Sequence, residues 1–302
     1  MSAFRLVVFL AGVMGVFCLP RAAISAKDLP EGFVVAEGST SPDGRYGIVI
    51  PGRDQLPGDG MDVVNYLADV KFHRLVGEIR NGDYIEGENH RGLRAHWSAD
   101  SLLCFAQYED RYGFGSIRLL ELNKNGFSQV EVGKFIQTSL DAVIVRKSHA
   151  KDDSCYAEFY CRFNANHTVR IRALGYTNPK QLEGVPTYRA YFRGTYEPET
   201  RKWNGVTTRN VGEECDGFNA AFRDKDFLNE VFSGEEDRAE ALDKCMNDIY
   251  QALRFLLPAE GFSEVKKAQI AWLKKRDAAD STAAKCKLLE ARIEVLRDIA
   301  WQ

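Results

Sequence analysis

The spacing of apolar residues changes character about two thirds of the way along this 302-residue chain. Upstream, short runs rich in β-branched and aromatic residues alternate with turn residues, which is typical of antiparallel β-structure. Residues 194–217 are rich in Gly, Asn and Thr and have no strong period. Beyond them, apolar residues recur at steps of three and four, as in amphipathic helices. The chain is therefore predicted to be a multidomain β plus α protein.

The upstream part, residues 27–205, is predicted to form an antiparallel all-β domain with propeller-like hairpins. The turn Ser-Pro-Asp-Gly-Arg at 41–45 leads into an apolar strand. The segment Trp-Ser-Ala-Asp-Ser at 97–101 does the same, which makes a weak internal repeat. The repeat resembles the blades of β-propellers, although about 170 residues are few for a ring of four-stranded blades. The other predicted strands cover residues 63–70, 117–122, 142–145, 157–163, 169–174 and 188–196.

The N-terminus has the layout of a secretory signal peptide, predicted to cover residues 1–26. Arg5 precedes an apolar run at 6–19, and small residues follow at 22–26. That run is shorter than the roughly 20 residues of a bilayer span. Phe17 stands where a lipoprotein needs a small residue before an acylated cysteine, which argues against lipidation of Cys18. We therefore expect an exported bacterial protein, periplasmic or extracellular, without a stable membrane span after cleavage.

The cysteine content indicates disulfide bonds in the exported chain. An even number of cysteines remains after cleavage, namely Cys104, Cys155, Cys161, Cys215, Cys245 and Cys286. Cys155 and Cys161 would lie about 20 Å apart on one side of a strand, too far to bond directly. Either residues 156–160 contain a turn, or each pairs elsewhere, with Cys104 as a candidate. None of the six lies in a Cys-x-x-Cys motif, so zinc or thioredoxin-like chemistry is poorly supported.

The net charge argues against a nucleic-acid partner. Removal of residues 1–26 takes away two arginines and no acids, which leaves 38 basic and 43 acidic residues and a net charge of −5. Binding to nucleic acid relies on lysines and arginines that neutralise phosphates. A mildly acidic chain is a poor candidate for this function.

Two clusters of metal-ligating residue types are weak candidates for a metal site. His90 and His96 have acids nearby, but their spacing matches no compact helical ligand pair and the segment reads as a loop. The acids in question are Asp83, Glu86 and Glu88. A second group, Asp54, Asp59 and Asp62, resembles a calcium loop only in its acid content. We predict neither a metal nor a cofactor.

Candidate nucleophiles are also weak. Ser98 and Ser101 fall in the repeated turn, where a serine caps the backbone. The chain has neither a Gly-x-Ser-x-Gly elbow nor a Gly-rich phosphate loop. No catalytic residue is predicted, and a secreted hydrolase with an unrecognised site is the third of three functional hypotheses.

The downstream part is predicted to be a small antiparallel bundle at residues 233–302, after a connection at 206–232. A capping box, Ser233-x-x-Glu236, begins the first helix and residues 258–261 end it. Its inward positions are Leu242, Cys245, Met246, Ile249, Leu253 and Leu256. The second helix starts near Ser263, with Val265, Ala268, Trp272 and Leu273 inward. The third has an apolar stripe of Cys286, Leu289, Ile293, Leu296 and Ile299.

The bundle carries a motif that resembles the lysozyme inhibitor LprI-like domain over about residues 235–300. The motif consists of Asn247-x-x-Tyr250, then Ala268-Gln269-x-x-Trp272-Leu273-x-x-Arg276-Asp277-Ala278, then Cys286 and Arg292-Ile293-x-x-Leu296. Gln269, Trp272 and Arg276 lie on nearly one helical face, so we expect Trp272 to fill the core and Arg276 to bond a neighbouring helix end or carboxylate. The motif residues Tyr250, Gln269, Trp272, Arg276, Asp277 and Arg292 are therefore predicted to be structural.

The sequence departs from the family pattern at one cysteine. Members often have a cysteine soon after Arg-Asp-Ala that is bonded to a later one, whereas here residues 279–281 are Ala-Asp-Ser and only Cys286 follows. Cys245 and Cys286 both lie on inward stripes of their helices. We predict that they bond to each other.

What the resemblance implies is binding and inhibition of lysozyme, which we expect to occur by non-covalent steric occlusion. Residues 213–248 contain twelve acids and four bases, a local charge of −8, which could steer a basic envelope protein such as lysozyme. The alternative is an envelope scaffold or receptor whose β-domain binds a glycan or a partner protein. Its candidate surface consists of Tyr156, Phe159, Tyr160, Tyr188, Tyr191 and Phe192, although aromatic alternation in strands is more often core packing.

Overall fold

A computed structural model describes residues 28–55, 63–111, 113–123, 126–148, 156–177, 182–211, 217–222 and 235–302. The strands form three four-stranded antiparallel sheets, and in each sheet the strands pair in chain order. The first sheet contains β1 (Phe33–Val35), β2 (Tyr46–Pro51), β3 (Asn65–Asp69) and β4 (Arg74–Ile79). The second contains β5 (Gly92–Trp97), β6 (Leu103–Asp110), β7 (Gly113–Asn123) and β8 (Gly126–Glu131). The third contains β9 (Tyr156–Phe163), β10 (Val169–Tyr176), β11 (Arg189–Glu197) and β12 (Lys202–Val211).

Five helices accompany the sheets in the described residues. They are α1 (Gly133–Ser148), α2 (Gly217–Phe222), α3 (Glu235–Leu256), α4 (Ala259–Asp277) and α5 (Thr282–Trp301). The predicted combination of antiparallel β-structure and C-terminal helices is confirmed. Each sheet is a meander of the kind found in a propeller blade.

The second sheet lies between the other two, and both of its faces are buried. Successive side chains of a strand point to opposite faces. Cys104 of β6 accordingly packs with Ile48 and Leu67 of the first sheet, whereas Phe105 packs with Ile171 and Phe192 of the third. The sheets are therefore stacked through two separate apolar cores.

The predicted turn repeat is built from the same hydrogen bonds in both copies. The Ser41 hydroxyl donates to Asp43 at 2.6 Å and accepts from the Tyr46 amide at 2.9 Å. The Ser98 hydroxyl donates to Asp100 at 2.6 Å and accepts from the Leu103 amide at 2.9 Å. Each serine thus ties its turn to the start of the following strand.

A related turn in the third sheet was not predicted. Between β9 and β10, the Thr168 hydroxyl donates to Asn166 at 2.8 Å, and the Asn164 amide donates to the Thr168 carbonyl at 2.9 Å. Asn164 and Asn166 stand where the other two copies have Ser and Asp. The Ser-x-Asp pattern is therefore absent here, although Asn is itself a common turn residue. Each turn also contacts the next one. The backbone N–H of Asp43 donates to the Ser101 hydroxyl, and His167 Nδ1 lies 3.4 Å from the Asp100 carboxylate.

The predicted strand at residues 142–145 is wrong, because these residues belong to α1. The run of β-branched residues there resembles a buried strand, but the buried side chains extend upstream at helical spacing. They are Ile136, Leu140, Val143 and Ile144. The Glu131 carboxylate accepts from the Gly133 amide at 2.8 Å and so satisfies one free N–H at the start of the helix. The region predicted as all-β therefore contains a helix that packs on the third sheet.

The C-terminal helices cover the outer face of the third sheet and share a core with it. The Tyr191 ring of β11 stacks on Phe218 and Phe222 of α2, with centroids 5.1 and 6.2 Å apart. Phe222 meets the Trp301 ring of α5 edge-on at 5.2 Å. The inward stripe predicted for the first helix is buried as expected in α3. The bundle therefore rests on the β-body through α2, α3 and α5.

The boundaries near the predicted connection differ in detail. Strand β12 continues to Val211, and α2 lies inside the stretch predicted as residues 206–232. Ser233 of the predicted capping box lies outside the described residues. The division of the chain into two domains stays a prediction.

Helix α4 is peripheral, and only two of its residues, Val265 and Gln269, are buried. It begins at Ala259, directly after Pro258, and not near Ser263. Proline is accepted at a helix N-terminus because the N–H that it lacks would be unpaired there. Ala268 is exposed, so its predicted inward position is wrong. Among the helices of the described residues, none is long and apolar enough to cross a membrane.

Candidate functional site

The centre of the helical module is a buried polar chain of three residues. The Gln269 amide donates to the Met246 sulfur at 2.9 Å, and Arg292 Nε donates to Gln269 Oε1 at 2.8 Å. Gln269 and Arg292 are 5% and 8% exposed. Burial lowers the pKa of the Arg292 guanidinium, and the nearby Tyr250 opposes this effect. These bonds join α4 to α3 and α5.

The Arg292 guanidinium is incompletely satisfied. Within the described residues, its Nη2 atom has no hydrogen-bond partner and the residue has no ion pair with a carboxylate. Gln269 is the acceptor that holds its Nε atom. When a buried charge has so few hydrogen-bond partners, removal of any one of them strongly destabilises the fold.

A second contact of α4 is the ion pair between Arg276 and Asp243 of α3, at 2.6 Å. Arg276 Nε also donates to its neighbour Asp277 at 2.9 Å, and its guanidinium lies 5.7 Å from the centre of the Trp272 ring. Burial lowers the pKa of Arg276, but the bonds and charges of Asp277 and Asp243 outweigh burial, so the pKa is raised. Trp272 is half-buried at the edge of the core and does not fill its centre.

Tyr250 provides a third contact, with its ring 5.3 Å from that of Phe262 at the start of α4. The sequence motif is therefore distributed along the contacts of α4 with the other two helices. The structure brings Gln269 and Arg292 together, and it brings Trp272, Arg276 and Asp277 together. That these residues act structurally is a prediction, which the variants described in the Discussion test.

The exposed side of α3 carries an open depression of about 580 Å³. Its lining consists of Glu240, Ala241, Asp243, Lys244 and Asn247. The Asn247 side chain donates to the Asp243 carboxylate at 3.2 Å. Asp243, which pairs with Arg276, is thus also part of the depression. Glu240 is exposed and makes no ion pair within the described residues. The acidity of this helix is evident from the sequence, whereas the depression depends on how α3 is packed.

Most of the predicted acidic stretch, residues 213–248, lies outside the described residues or side chains. The acids described in α3 are Glu240, Asp243 and Asp248, and Asp248 pairs with Lys244 at 2.7 Å. Arg238 pairs with Glu290 of α5 at 2.6 Å. Among these three described acids of α3, Glu240 alone has no ion pair within the described residues, and it lines the depression.

Cys245 and Cys286 lie in the same apolar core, on α3 and α5. Both are free thiols in the structure, so the predicted bond is not formed there. Burial raises the pKa of the Cys245 thiol to about 11. Since the thiolate is the reactive form, Cys245 is slow to react while the core is closed. The pairing stays a prediction about the oxidised form of the protein.

The other proposed arrangements of cysteines are partly excluded. Strand β9 is continuous through residues 156–160, so these residues do not contain the turn that a bond between Cys155 and Cys161 needs. Cys104 and Cys161 contact different cores, on opposite faces of the second sheet, and so are not a pair. Cys155 and Cys215 lie outside the described residues.

Peptide mapping without reduction is expected to recover the peptides of Cys245 and Cys286 as one cross-linked species. The reason is that folding brings both thiols into one core before or during oxidation. A reduced and alkylated sample, in which the two peptides separate, is the control. Recovery of Cys286 joined to Cys215, or alkylated without prior reduction, would contradict the pairing.

Three acids of the candidate metal sites, Asp83, Glu86 and Glu88, have structural partners. Arg91 pairs with Asp83 at 2.7 Å, with Glu88 at 3.3 Å and with Asp110 at 3.0 Å. Glu86 accepts from the Arg53 amide. In the described residues, no group of three or more His, Cys, Asp or Glu is arranged to hold a metal ion. Asp54 lies in a short 3-10 turn, and the other two acids of its group, Asp59 and Asp62, lie outside the described residues.

The predicted aromatic surface of the β-domain is largely interior. Phe159, Tyr191 and Phe192 are buried in the cores, so they line no surface. Tyr156, Tyr160 and Tyr188 are half-buried. The proposed glycan surface therefore reduces to the edge of the third sheet. Ser98 and Ser101, the candidate nucleophiles, are buried turn residues with the hydrogen bonds described above.

Comparison with known proteins identifies the helical module. The family model described as Lysozyme inhibitor LprI matches residues 230–296, which include α3, α4 and most of α5. The resemblance found in the sequence motif is thereby confirmed. No curated protein and no solved structure matches the chain.

Proposed function

From the premise that residues 230–296 form an LprI domain, we propose that this protein is exported, and that it binds lysozyme and inhibits it by non-covalent steric occlusion. The family match is the observation that carries the proposal. The domain is an inhibitor domain by family, and its partner is a basic protein, to which an acidic surface is complementary. The β-body acts as the support on which α2, α3 and α5 are packed.

The depression on α3 is the surface that we assign to lysozyme. It is wide and open, which suits a projecting loop of a protein better than a small molecule buried on all sides. Glu240 gives it a negative charge, because Asp243 is paired with Arg276 and Lys244 with Asp248. Charges at the edge of an interface act mainly on the rate of association and on its salt dependence.

The direct test is a muramidase assay on suspended peptidoglycan with the purified mature protein. We expect a saturable loss of activity at inhibitor concentrations up to about 50 μM, which would saturate any complex of low-micromolar Kd. Inhibition should be immediate and reversible on dilution, since no covalent bond forms. Unchanged activity at the highest concentration would reject the function and leave the fold unaffected.

The Glu240→Lys variant is expected to inhibit about three- to tenfold more weakly, because reversal of one charge at the depression opposes a basic partner. The difference should shrink as salt is added, since the Debye length falls to about 3 Å at 1 M. Glu199→Lys is the matched control, because Glu199 is exposed on the turn between β11 and β12. Equal inhibition by Glu240→Lys and the wild type would remove the depression from the interface.

A further inference from the structure

The exposed face of α4 consists of two rows in which an apolar residue stands between two lysines. The first row is Lys266, Ile270 and Lys274, and the second is Lys267, Ala271 and Lys275. Residues four apart lie one above the other on a helix, so each row runs along the helix axis. All six residues are exposed, and Ile270 is 51% exposed. The face therefore presents an apolar centre between two pairs of lysines.

The opposite side of α4 holds the helix to the module. Val265 and Gln269 are buried there, and Arg276 forms the ion pair with Asp243 of α3. With 3.6 residues per turn, these contacts fall on the side of the helix away from the two rows. Packing of the module therefore does not require the residues of the two rows.

The lysines give this part of the module a positive charge in an acidic protein. Residues 265–289 contain six lysines, one arginine and two aspartates, a net charge of +5, whereas the whole chain carries −3. Within the described residues, the ammonium groups of Lys266, Lys274 and Lys275 make no ion pair. Lys267 pairs with Glu264 at 2.7 Å, but both side chains are more than two thirds exposed, so water screens this pair. The positive charge is thus open to an anionic partner.

The shape and chemistry of the face favour a phospholipid surface as that partner. The face is the outside of a peripheral helix, so it is convex and has no cleft for a small anion. Ammonium groups attract lipid phosphates, and an apolar side chain among them can enter the boundary between headgroups and acyl chains. A water-soluble acidic polymer would pair with the lysines but would leave Ile270 in water.

We propose that α4 binds the surface of bilayers that contain anionic phospholipid, with Lys266, Ile270 and Lys274 at the level of the headgroups. The helix lies on the bilayer in this arrangement and does not cross it. The proposal goes beyond the inhibition of lysozyme and does not rest on it, because the two rows share no residue with the depression on α3. A basic lysozyme is repelled by the lysines, so the two partners are directed to different surfaces.

The test is co-sedimentation with lipid vesicles of the purified chain from residue 27 onward, which omits the apolar run at 6–19. The probe is vesicles of phosphatidylcholine with about 30% phosphatidylglycerol, an anionic lipid that attracts basic residues. We expect the chain to bind these vesicles at least tenfold more tightly than vesicles of pure phosphatidylcholine. Binding should weaken as salt rises to about 0.5 M, because salt screens the charges.

The double variant with Lys266→Gln and Lys274→Gln should bind the anionic vesicles about 25-fold more weakly, since each lysine near an anionic surface contributes about fivefold. The matched control is the double variant with Lys134→Gln and Lys147→Gln. These two lysines are exposed on α1, and their replacement changes the net charge by the same amount. The control should bind as the wild type does.

The apolar part of the contact is tested by Ile270→Ser, which should weaken binding about threefold because less apolar surface enters the bilayer. Val295→Ser is the matched control, since Val295 of α5 is 48% exposed. It should not change binding. Thermal unfolding of every variant establishes that it is folded, so that weaker binding reports on the surface.

Three outcomes would overturn the proposal. The first is equal binding of the wild type to both kinds of vesicle, and the second is unchanged binding by the folded double variant of α4. The third is binding to soluble polyglutamate without binding to vesicles, which would indicate an acidic macromolecule as the partner. None of them bears on the muramidase assay, which contains no lipid and probes α3.

Discussion

Replacement of Trp301 by alanine is expected to lower the free energy of unfolding by about 3–5 kcal/mol, the usual cost of truncating a buried aromatic residue. Trp301 is 4% exposed at the C-terminal end of α5. Its ring contacts Phe222 and lies 5.3 Å from the guanidinium of Arg172, which is itself 4% exposed. The truncation therefore leaves a cavity and also removes the ring that faces a buried cation. Equilibrium unfolding in urea measures the change.

Two arginines of β10 also meet the end of α5 at this residue, through its backbone carbonyl. The Trp301 carbonyl accepts from Arg170 at 2.8 Å and from Arg172 at 3.0 Å, so two cations of β10 hold the negative end of the helix. Burial lowers the pKa of Arg172, and the nearby Tyr191 opposes this effect, so the buried charge is unfavourable and the Trp301 ring beside it is one of its few compensating contacts.

The matched control for Trp301→Ala is Trp272→Ala, at the half-buried tryptophan of α4. The free energy of unfolding should fall by only about 1–2 kcal/mol, because the Trp272 side chain buries less apolar surface on folding. If Trp301→Ala lost no more than Trp272→Ala, the packing of α5 on the third sheet would not be a main source of stability.

Replacement of Gln269 by leucine is expected to cost about 3 kcal/mol, although leucine is apolar and similar in size. The change removes the acceptor of Arg292 Nε and leaves a buried guanidinium without it. The double variant with Gln269→Leu and Arg292→Met should recover most of the loss, because replacing both members of a buried polar pair by apolar residues is often nearly neutral. Urea unfolding of the two single variants and the double variant gives the coupling energy.

Gln251→Leu provides the control for this cycle, since Gln251 lies on the exposed side of α3 and bonds only Arg254 among the described residues. Its effect should be within about 0.5 kcal/mol, as at most surface positions. Additive effects of Gln269→Leu and Arg292→Met would mean that the two side chains do not stabilise each other, and the structural role predicted for this part of the motif would then be wrong.

Local sequence patterns predicted the helices of the module well because their signals come from neighbours in the chain. The stripe from Leu242 to Leu256 repeats at three and four residues, and it is buried in α3. The turns at 41–45 and 97–101 were found for the same reason, since each serine bonds within a few residues. The strand predicted at 142–145 failed because a short apolar run is ambiguous between helix and strand.

What the sequence determined by itself is the order of β-type and helical segments and the family of the C-terminal module, because both are written in local periods and motif spacing. The tertiary structure decided which surfaces meet. The bond from Arg172 to Trp301 joins residues 129 positions apart, and the stacking of Tyr191 on Phe218 and Phe222 joins the third sheet to α2. Such contacts leave no local period, since they depend on how the third sheet packs against the second on one face and the helices on the other.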